Sequence, residues 1–170
     1  MIAMQQAPVE HVGLARLEPT DGDALRRLFF RLSPATLYRR FHSPIVRPEQ
    51  AHPERLLDID HHDREAVVAV VDGEIVGVAR YASWPGTSSA DLAVVVADDW
   101  QRQGIAIRML SALADLARSA GIVSFTATVQ GDNRAAITLL QRFSPLAKAT
   151  FLEGSCEFTL PIEPAAAPPI

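Results

Sequence analysis

The sequence predicts an α/β (α+β) chain with about seven strands, and three observations carry that reading. Apolar runs rich in Val and Ala, with the Asp72-Gly73 pair between two of them, mark strands across residues 65–96. Helical spacing of apolar residues recurs at Leu25, Leu28 and Phe29, and again at Ala106, Leu110, Leu113 and Ala117. Strand-like and helix-like stretches then alternate to the end of the chain, the pattern of helices packed on a sheet.

Taken in order, His11 to Leu17 reads as the first strand. Thr20-Asp21 caps a helix through about Leu32, and Ser33-Pro34 restarts a helix as N-cap and first residue, carrying Leu37, Tyr38 and Phe41. A third short helix is expected near Pro48 to Leu57. Glu65 to Val71 and Glu74 to Ala82 form a hairpin through Asp72-Gly73, and Trp84 to Ser89 is a loop. Ala90 to Val96 is the next strand. A long helix from about Gln103 to Ala120 follows, closed by Gly121 just past its end. Ile122 to Val129 is a strand and Asn133 to Phe143 a helix. Ala147–Phe151 and Ser155–Leu160 are two short final strands. Residues 1–10 and the Pro-rich 163–170 are expected to be flexible ends, leaving 11–162 as one domain.

Composition narrows the function. The 170 residues can bury one substantial core, and 48% hydrophobic with 21% charged residues is ordinary for a globular protein. A net charge of −4 argues against a nucleic-acid binder and suits a cationic partner such as an amine. Basic charge is carried by fifteen Arg and one Lys, Lys148. The single Cys156, on an alternating strand, reads as a buried thiol in a reducing compartment. With no signal-like start and no apolar run of the roughly 18 residues a membrane helix needs, a cytoplasmic protein is expected. No metal-ligand spacing surrounds the His61-His62 pair, so no metal is assigned.

The chemistry concentrates in Val94-Val95-Val96 followed by Gln101-Arg102-Gln103-Gly104-Ile105-Ala106. This is a buried strand, a short loop and a helix start, with small residues where the chain turns. Free N–H groups of a first helical turn bind anions, and small residues admit a ligand close to the backbone.

This Gln-x-x-Gly-x-Ala loop resembles the acetyl-CoA-binding motif of the GNAT (GCN5-related N-acetyltransferase) superfamily. So does the β-α-α-β-β-β-α-β-α-β-β order across residues 11–162. The resemblance implies a mixed central sheet flanked by helices and an N-acetyltransferase using acetyl-CoA as co-substrate. Leu28–Phe41, Ile59–Glu65 and Gly73–Arg80 are similar to the GNAT domain of bacterial Pat-type protein lysine acetyltransferases. Those relatives often carry a sensor or synthetase-like domain, which is not expected here.

The resemblance further implies the site residues. Val94, Val95 and Val96 would offer backbone groups to pantetheine and to the thioester carbonyl. Gln101, Arg102, Gln103, Gly104, Ile105 and Ala106 would hold the diphosphate, with Arg108 as an added cation. Asn133 would bond pantetheine or cap its helix. Asp91 stands where several protein-acetylating relatives place a Glu as general base. Glu65, Asp63 and His61-His62 are reserves for that role. Where many relatives have a Tyr to protonate the thiolate, this chain has Leu140. The expected reaction is direct transfer in a ternary complex to a protein lysine, for example on an acyl-CoA synthetase. The alternatives are a small amine acceptor or an acyl-CoA-binding module without activity.

Overall fold

Pairing of the Val- and Ala-rich runs produces seven strands. They are β1 (Gly13–Arg16), β2 (Arg64–Val71), β3 (Glu74–Ser83), β4 (Ser89–Val96), β5 (Ser124–Gln130), β6 (Lys148–Leu152) and β7 (Ser155–Pro161). The helices are α1 (Gly22–Phe30), α2 (Pro34–Phe41), α3 (Ile105–Ser119) and α4 (Arg134–Phe143). The computed structural model describes residues 11–41 and 52–164. The element order is the one expected from sequence, and the strands form one sheet ordered β1-β2-β3-β4-β5-β7-β6. Every neighbouring pair is antiparallel except β4 and β5, so the sheet is mixed.

Each face of the sheet is buried. On one, α3 contributes Ile105, Met109, Leu110, Leu113 and Ala117 to a cluster with Val67, Ala79, Tyr81, Phe125 and Phe158. On the other, Leu25, Leu28 and Phe29 of α1 and Leu37 of α2 meet Ala66, Val68, Val78 and Val95. A fully buried Leu or Phe contributes roughly 1.5–3 kcal/mol, so these two clusters hold the helices to the sheet. Gly77 lets α3 come close, since a Cβ there would stand 2.9 Å from Met109 Cε and 3.2 Å from the Val95 carbonyl.

Several boundaries move for local reasons. The long helix starts at Ile105 rather than Gln103, because Gly104 has φ 78°, outside helical space. The strand expected from Ile122 starts at Ser124, because the Ile122 N–H closes α3 by donating to Ala117 O at 2.9 Å after Gly121 at φ 82°. The helix expected near Pro48–Leu57 is a 3₁₀ turn over Pro53–Leu57, with Leu56 anchored in the core. Its residues 48–51 lie outside the described residues, as do 1–10 and 165–170 of the expected flexible ends. Asp72 and Gly73 both have positive φ, 50° and 77°, as a two-residue hairpin turn requires. No helix among the described residues is long and apolar enough to cross a membrane.

Candidate active site

The mixed sheet creates the site at its one parallel junction. β4 and β5 pair only through Ser89–Asp91 against Ser124–Thr126. Beyond Asp91 the strands part and leave a cleft of about 1020 Å³. Its walls come from α2, β4, the loop into α3, β5 and α4.

The open edge of β4 follows from its ladder with β3. N–H and C=O groups point to alternate edges along a strand. The Ala97 N–H donates to Val76 O at 2.8 Å, continuing the β3 ladder, so Val95 and Ala93 also turn their backbone groups toward β3. Val94 and Val96 turn theirs into the cleft. Val95 instead buries its side chain in the α1–α2 core.

The loop after β4 is folded by backbone handedness. Arg102 and Gly104 have φ 64° and 78°, while Gln103 between them stays at negative φ. Alternation of this kind curls successive N–H groups into an anion-binding concavity, and the first turn of α3 adds its own unpaired donors. A Cβ on Gly104 would meet nothing within 4 Å, so the space above the turn is open. Gly104, Arg102, Ile105 and Ala106 all line the cleft.

The side chains of this loop do not all serve as the sequence suggests. Gln101 turns inward, its Nε2 donating to Val96 O at 2.9 Å and to Thr36 Oγ1 at 3.4 Å, and so fixes the loop to the end of β4. Gln103 Nε2 donates to Asp99 O at 3.3 Å. Arg108 points away, donating to Val12 O at 2.9 Å beside β1, and does not line the cleft. A charged side chain at the fourth position of α3 faces the sheet edge rather than the helix start.

Asp98 ties this loop to α2. Its carboxylate accepts from Ser33 N (3.0 Å), Ser33 Oγ (2.7 Å) and Thr36 Oγ1 (3.0 Å). Ser33 Oγ meanwhile caps α2 by accepting from Thr36 N at 3.1 Å, as the Ser-Pro start predicts. Partial burial pushes the Asp98 carboxyl up, but the hydrogen bonds from Ser33 and Thr36 outweigh it and hold the group below the usual range.

Asn133 is buried at the N-cap of α4. Its Oδ1 accepts from Ala136 N at 3.2 Å and from Arg39 Nη1 at 3.0 Å, a bridge from α4 to α2. A ligand carbonyl in the cleft would therefore meet the donor end, Nδ2.

Asp91 lies at the point where β4 leaves β5, exposed at the rim of the cleft and opposite Thr126. Surrounding protein desolvates its carboxyl and raises it above the ordinary value, against the opposing pull of Arg40 and Arg80. The half-exposed Trp84 stands at the same end, its indole N–H donating to Thr126 Oγ1 at 3.1 Å. None of the reserve candidates joins Asp91. Glu65 faces the opposite side of the sheet, since Arg64 and not Glu65 is in register with Ala82 and Asp91. It is buried and ion-paired with Arg16 and His61. His62 and Asp63 are exposed and pair with each other at 3.1 Å. Leu140 lines the cleft where a Tyr was absent by sequence, and no other Tyr lines it among the described residues. Cys156 is fully buried, which pushes its thiol up. No group of His, Cys, Asp or Glu that could hold a metal occurs among the described residues.

Charge in the cleft is opposite to that of the chain. Arg39, Arg40, Arg102, Arg134 and Arg142 line it against Asp91 and Asp98, while the whole protein carries −4. Arg39, Arg40, Arg80, Asp98 and Trp84 escape a reading by motif. Arg39, Arg40 and Arg80 fall inside stretches that carry the resemblance but have no role marked there, and Trp84 and Asp98 lie in the turns after β3 and β4.

Known proteins share this architecture. The acetyltransferase (GNAT) family profile matches residues 31–144. Acetyltransferase PA5475 of Pseudomonas aeruginosa is 36% identical over 129 residues, 74% of this chain and 69% of that protein. Acetyltransferase Pat of Mycolicibacterium smegmatis is 33% identical over 113 residues, 65% of this chain, which spans only 34% of that protein. The crystal structure of the GNAT domain of S. lividans PAT superposes with a TM-score of 0.79 at 21% identity, covering 92% of this chain and 99% of that one. The fold also matches yncA from Salmonella typhimurium, solved with acetyl-CoA, with a TM-score of 0.64 at 20% identity, covering 93% of this chain and 98% of that one. The chain thus belongs to the acetyltransferase (GNAT) family.

Proposed function

We propose that residues 11–162 form an N-acetyltransferase domain that moves acetyl from acetyl-CoA directly to a protein lysine in a ternary complex. The observation that carries the transfer chemistry is the parting of β4 from β5 beyond Asp91, with an anion-binding turn at one end and a carboxylate at the other. Pantetheine fits the gap as an added strand, pairing with the backbone groups of Val94 and Val96. The diphosphate sits on the N–H groups from Arg102 to Ala106, with the Arg102 guanidinium adding charge. Gln101 acts from behind, holding the loop rather than the ligand, and Asn133 offers Nδ2 to a pantetheine carbonyl.

Lysine has an ordinary pKa of about 10.4, so its amine must lose a proton before attack. Asp91 takes that proton through a water, since its side chain is one methylene shorter than Glu. The amine nitrogen then bonds to the thioester carbonyl carbon, and the carbonyl electrons move onto oxygen. A backbone N–H of Val94 or Val96 stabilises that oxyanion, a contribution on the order of a few kcal/mol. Collapse breaks the C–S bond and expels CoA thiolate. With Leu140 in the wall no Tyr supplies a proton, and a thiol of pKa about 8.5 can depart as thiolate.

Two features support a protein lysine as acceptor. The similarity to Pat lies at 33% identity, and the exposed Trp84 indole beside Asp91 offers a flat apolar face to a lysine stem. The test is a side-by-side assay of acyl-CoA synthetases, lysine peptides, polyamines and aminoglycosides, with products located by mass spectrometry. Acetylation of one lysine on a protein, faster than any free amine, is expected. A small amine turned over orders of magnitude faster would replace this acceptor class, and silence with acetyl-CoA still bound would indicate a non-catalytic module. The reducing, cytoplasmic setting expected from Cys156 belongs to the same proposal.

A further inference from the structure

Among the described residues, the acceptor end of the cleft brings Arg40 and Arg80 toward Asp91 without an ion pair to either. Arg40 lines the cleft from α2. Arg80 lies on the same sheet face as Asp91, because Arg80 is in register with Ala93 and Ala82 with Asp91. Both guanidiniums are half-buried, and among the described residues neither forms a salt bridge or donates a hydrogen bond. Arg64, the next cation on this face, differs: Asp58 and Asp60 each approach it to 3.5 Å. Arg40 is instead stacked on Phe41, 4.6 Å from the ring centroid, which holds it in place without neutralising it.

Burial, aided by the neighbouring Arg80 charge, lowers Arg40 to about 10, and burial likewise lowers Arg80. Among the described residues Asp91 attracts both cations and Asp58 also attracts Arg80, yet neither carboxylate forms an ion pair with them, so two desolvated cations are left to favour an arriving anion. The cofactor does not supply that anion. Val96 lies five residues beyond Asp91 on β4, so at about 3.3 Å per residue the end of β4, from which the chain runs on to the diphosphate turn, is roughly 17 Å away. The pantetheine between them carries no charge.

We propose that Arg40 and Arg80 bind an anionic group carried by the acceptor next to its reacting amine, in a protein an acidic residue flanking the target lysine. The inference rests on the protein-lysine reading above and names the class of sequence that this site selects. Guanidinium forks recognise carboxylates with paired, charge-assisted hydrogen bonds, and partial burial strengthens them. The lysine stem lies along Trp84 with its amine at Asp91, and the flanking carboxylate sits between Arg40 and Arg80. A lysine between basic residues is repelled by the same pair. This explains how a site whose nucleophile is drawn from a cationic side chain tolerates so many arginines.

The test uses the full chain with saturating acetyl-CoA and three peptides that differ only beside the lysine: Glu-Lys-Glu, Ser-Lys-Ser and Arg-Lys-Arg. The acidic peptide should exceed the neutral one in kcat/KM by about tenfold or more, with the basic peptide slowest. R80Q and, separately, R40Q should shrink the acidic-to-neutral ratio to a fewfold, while R80K should keep most of it. Equal rates for the three peptides, or a ratio unmoved in both Gln variants, would overturn the proposal. So would succinyl-CoA outrunning acetyl-CoA with flanks irrelevant, since the cations would then serve the acyl chain. A free amino acid and its amide complete the panel. Silent peptides with the acid faster than its amide would end the protein-acceptor reading but support the anion site. Active peptides without charge preference would do the reverse. No acetylation of any acceptor would overturn both.

Discussion

At one end of the cleft, Arg102 to Ile107 presents backbone N–H groups folded by left-handed residues at Arg102 and Gly104. At the other, roughly 17 Å along β4, Asp91 stands among side chains brought from α2, β3 and β5. The first end depends on conformation and is contributed by one short stretch of chain. The second depends on which strand neighbours which, and in what register. Binding and chemistry therefore fail by different kinds of substitution, and each can be broken alone.

The largest separation is expected at the chemical end. Asp91→Asn keeps the shape and removes the proposed proton acceptor, so kcat should fall by about 10²–10⁴-fold at neutral pH. The rise in Tm caused by acetyl-CoA should stay near wild type. Turnover equal to wild type in this variant would leave a bare water as the base, since Glu65 is sequestered on the far face.

At the backbone end the effect is on binding. A ligand at 100 times its Kd stabilises the fold by about 2.7 kcal/mol, visible as a rise in Tm. Gly104→Glu should abolish that rise by placing a carboxylate in the proposed diphosphate site and forcing a side chain onto φ 78°. The apo Tm drops as well, from the backbone strain alone, so the shift and not the absolute Tm is the measurement. A shift preserved in this variant would move the phosphate site elsewhere.

Asn133 belongs partly to each end. Asn133→Ala loses the cap on Ala136 N, a cost of about 1 kcal/mol, together with the bridge to Arg39. Asn133→Ser should recover the cap and the Tm but not a normal KM for acetyl-CoA, because the shorter side chain cannot reach the ligand. If Ser restores both, Asn133 is only a cap.

The contrast between the ends also explains what could be read from sequence. The turn proposed to hold the diphosphate was legible as a strand–loop–helix junction because its determinants are contiguous: a β-branched run, a glycine, and an amphipathic helix. The order of all eleven elements was legible for the same reason, since hydrophobic period and turn residues act locally. Helix and strand ends shifted where one backbone angle or one capping bond decided them, as at Gly104 and Ile122. The surroundings of Asp91 were not legible. Arg39 meets Asn133 across 94 residues of sequence, and Arg80 shares a face with Asp91 only because of the β3–β4 register. Gln101 and Arg108 sit in or near the motif, but their side chains donate to Val96 O and Val12 O, partners that the motif does not reveal.

The smallest expected effect concerns the tie between the two ends. Asp98 hangs the start of α2, and with it Arg39 and Arg40, from the loop that leads to the phosphate turn. Its carboxyl is held below the ordinary value in the folded protein. Stability from this group is therefore fully present above the unfolded value of about 3.9 and is lost as pH falls through the lower folded value. Asp98 is exposed, so screening keeps the contribution below about 1 kcal/mol. Asp98→Asn should lower Tm slightly at pH 6, and the gap to wild type should close as both are taken toward pH 3. In the same variant the effect on transfer should exceed the effect on acetyl-CoA binding, because the freed element carries the acceptor wall while Gly104 keeps its backbone angle. A constant Tm gap across that pH range would show that Asp98 acts through shape alone. Equal losses in binding and transfer would show that the two ends move as one body.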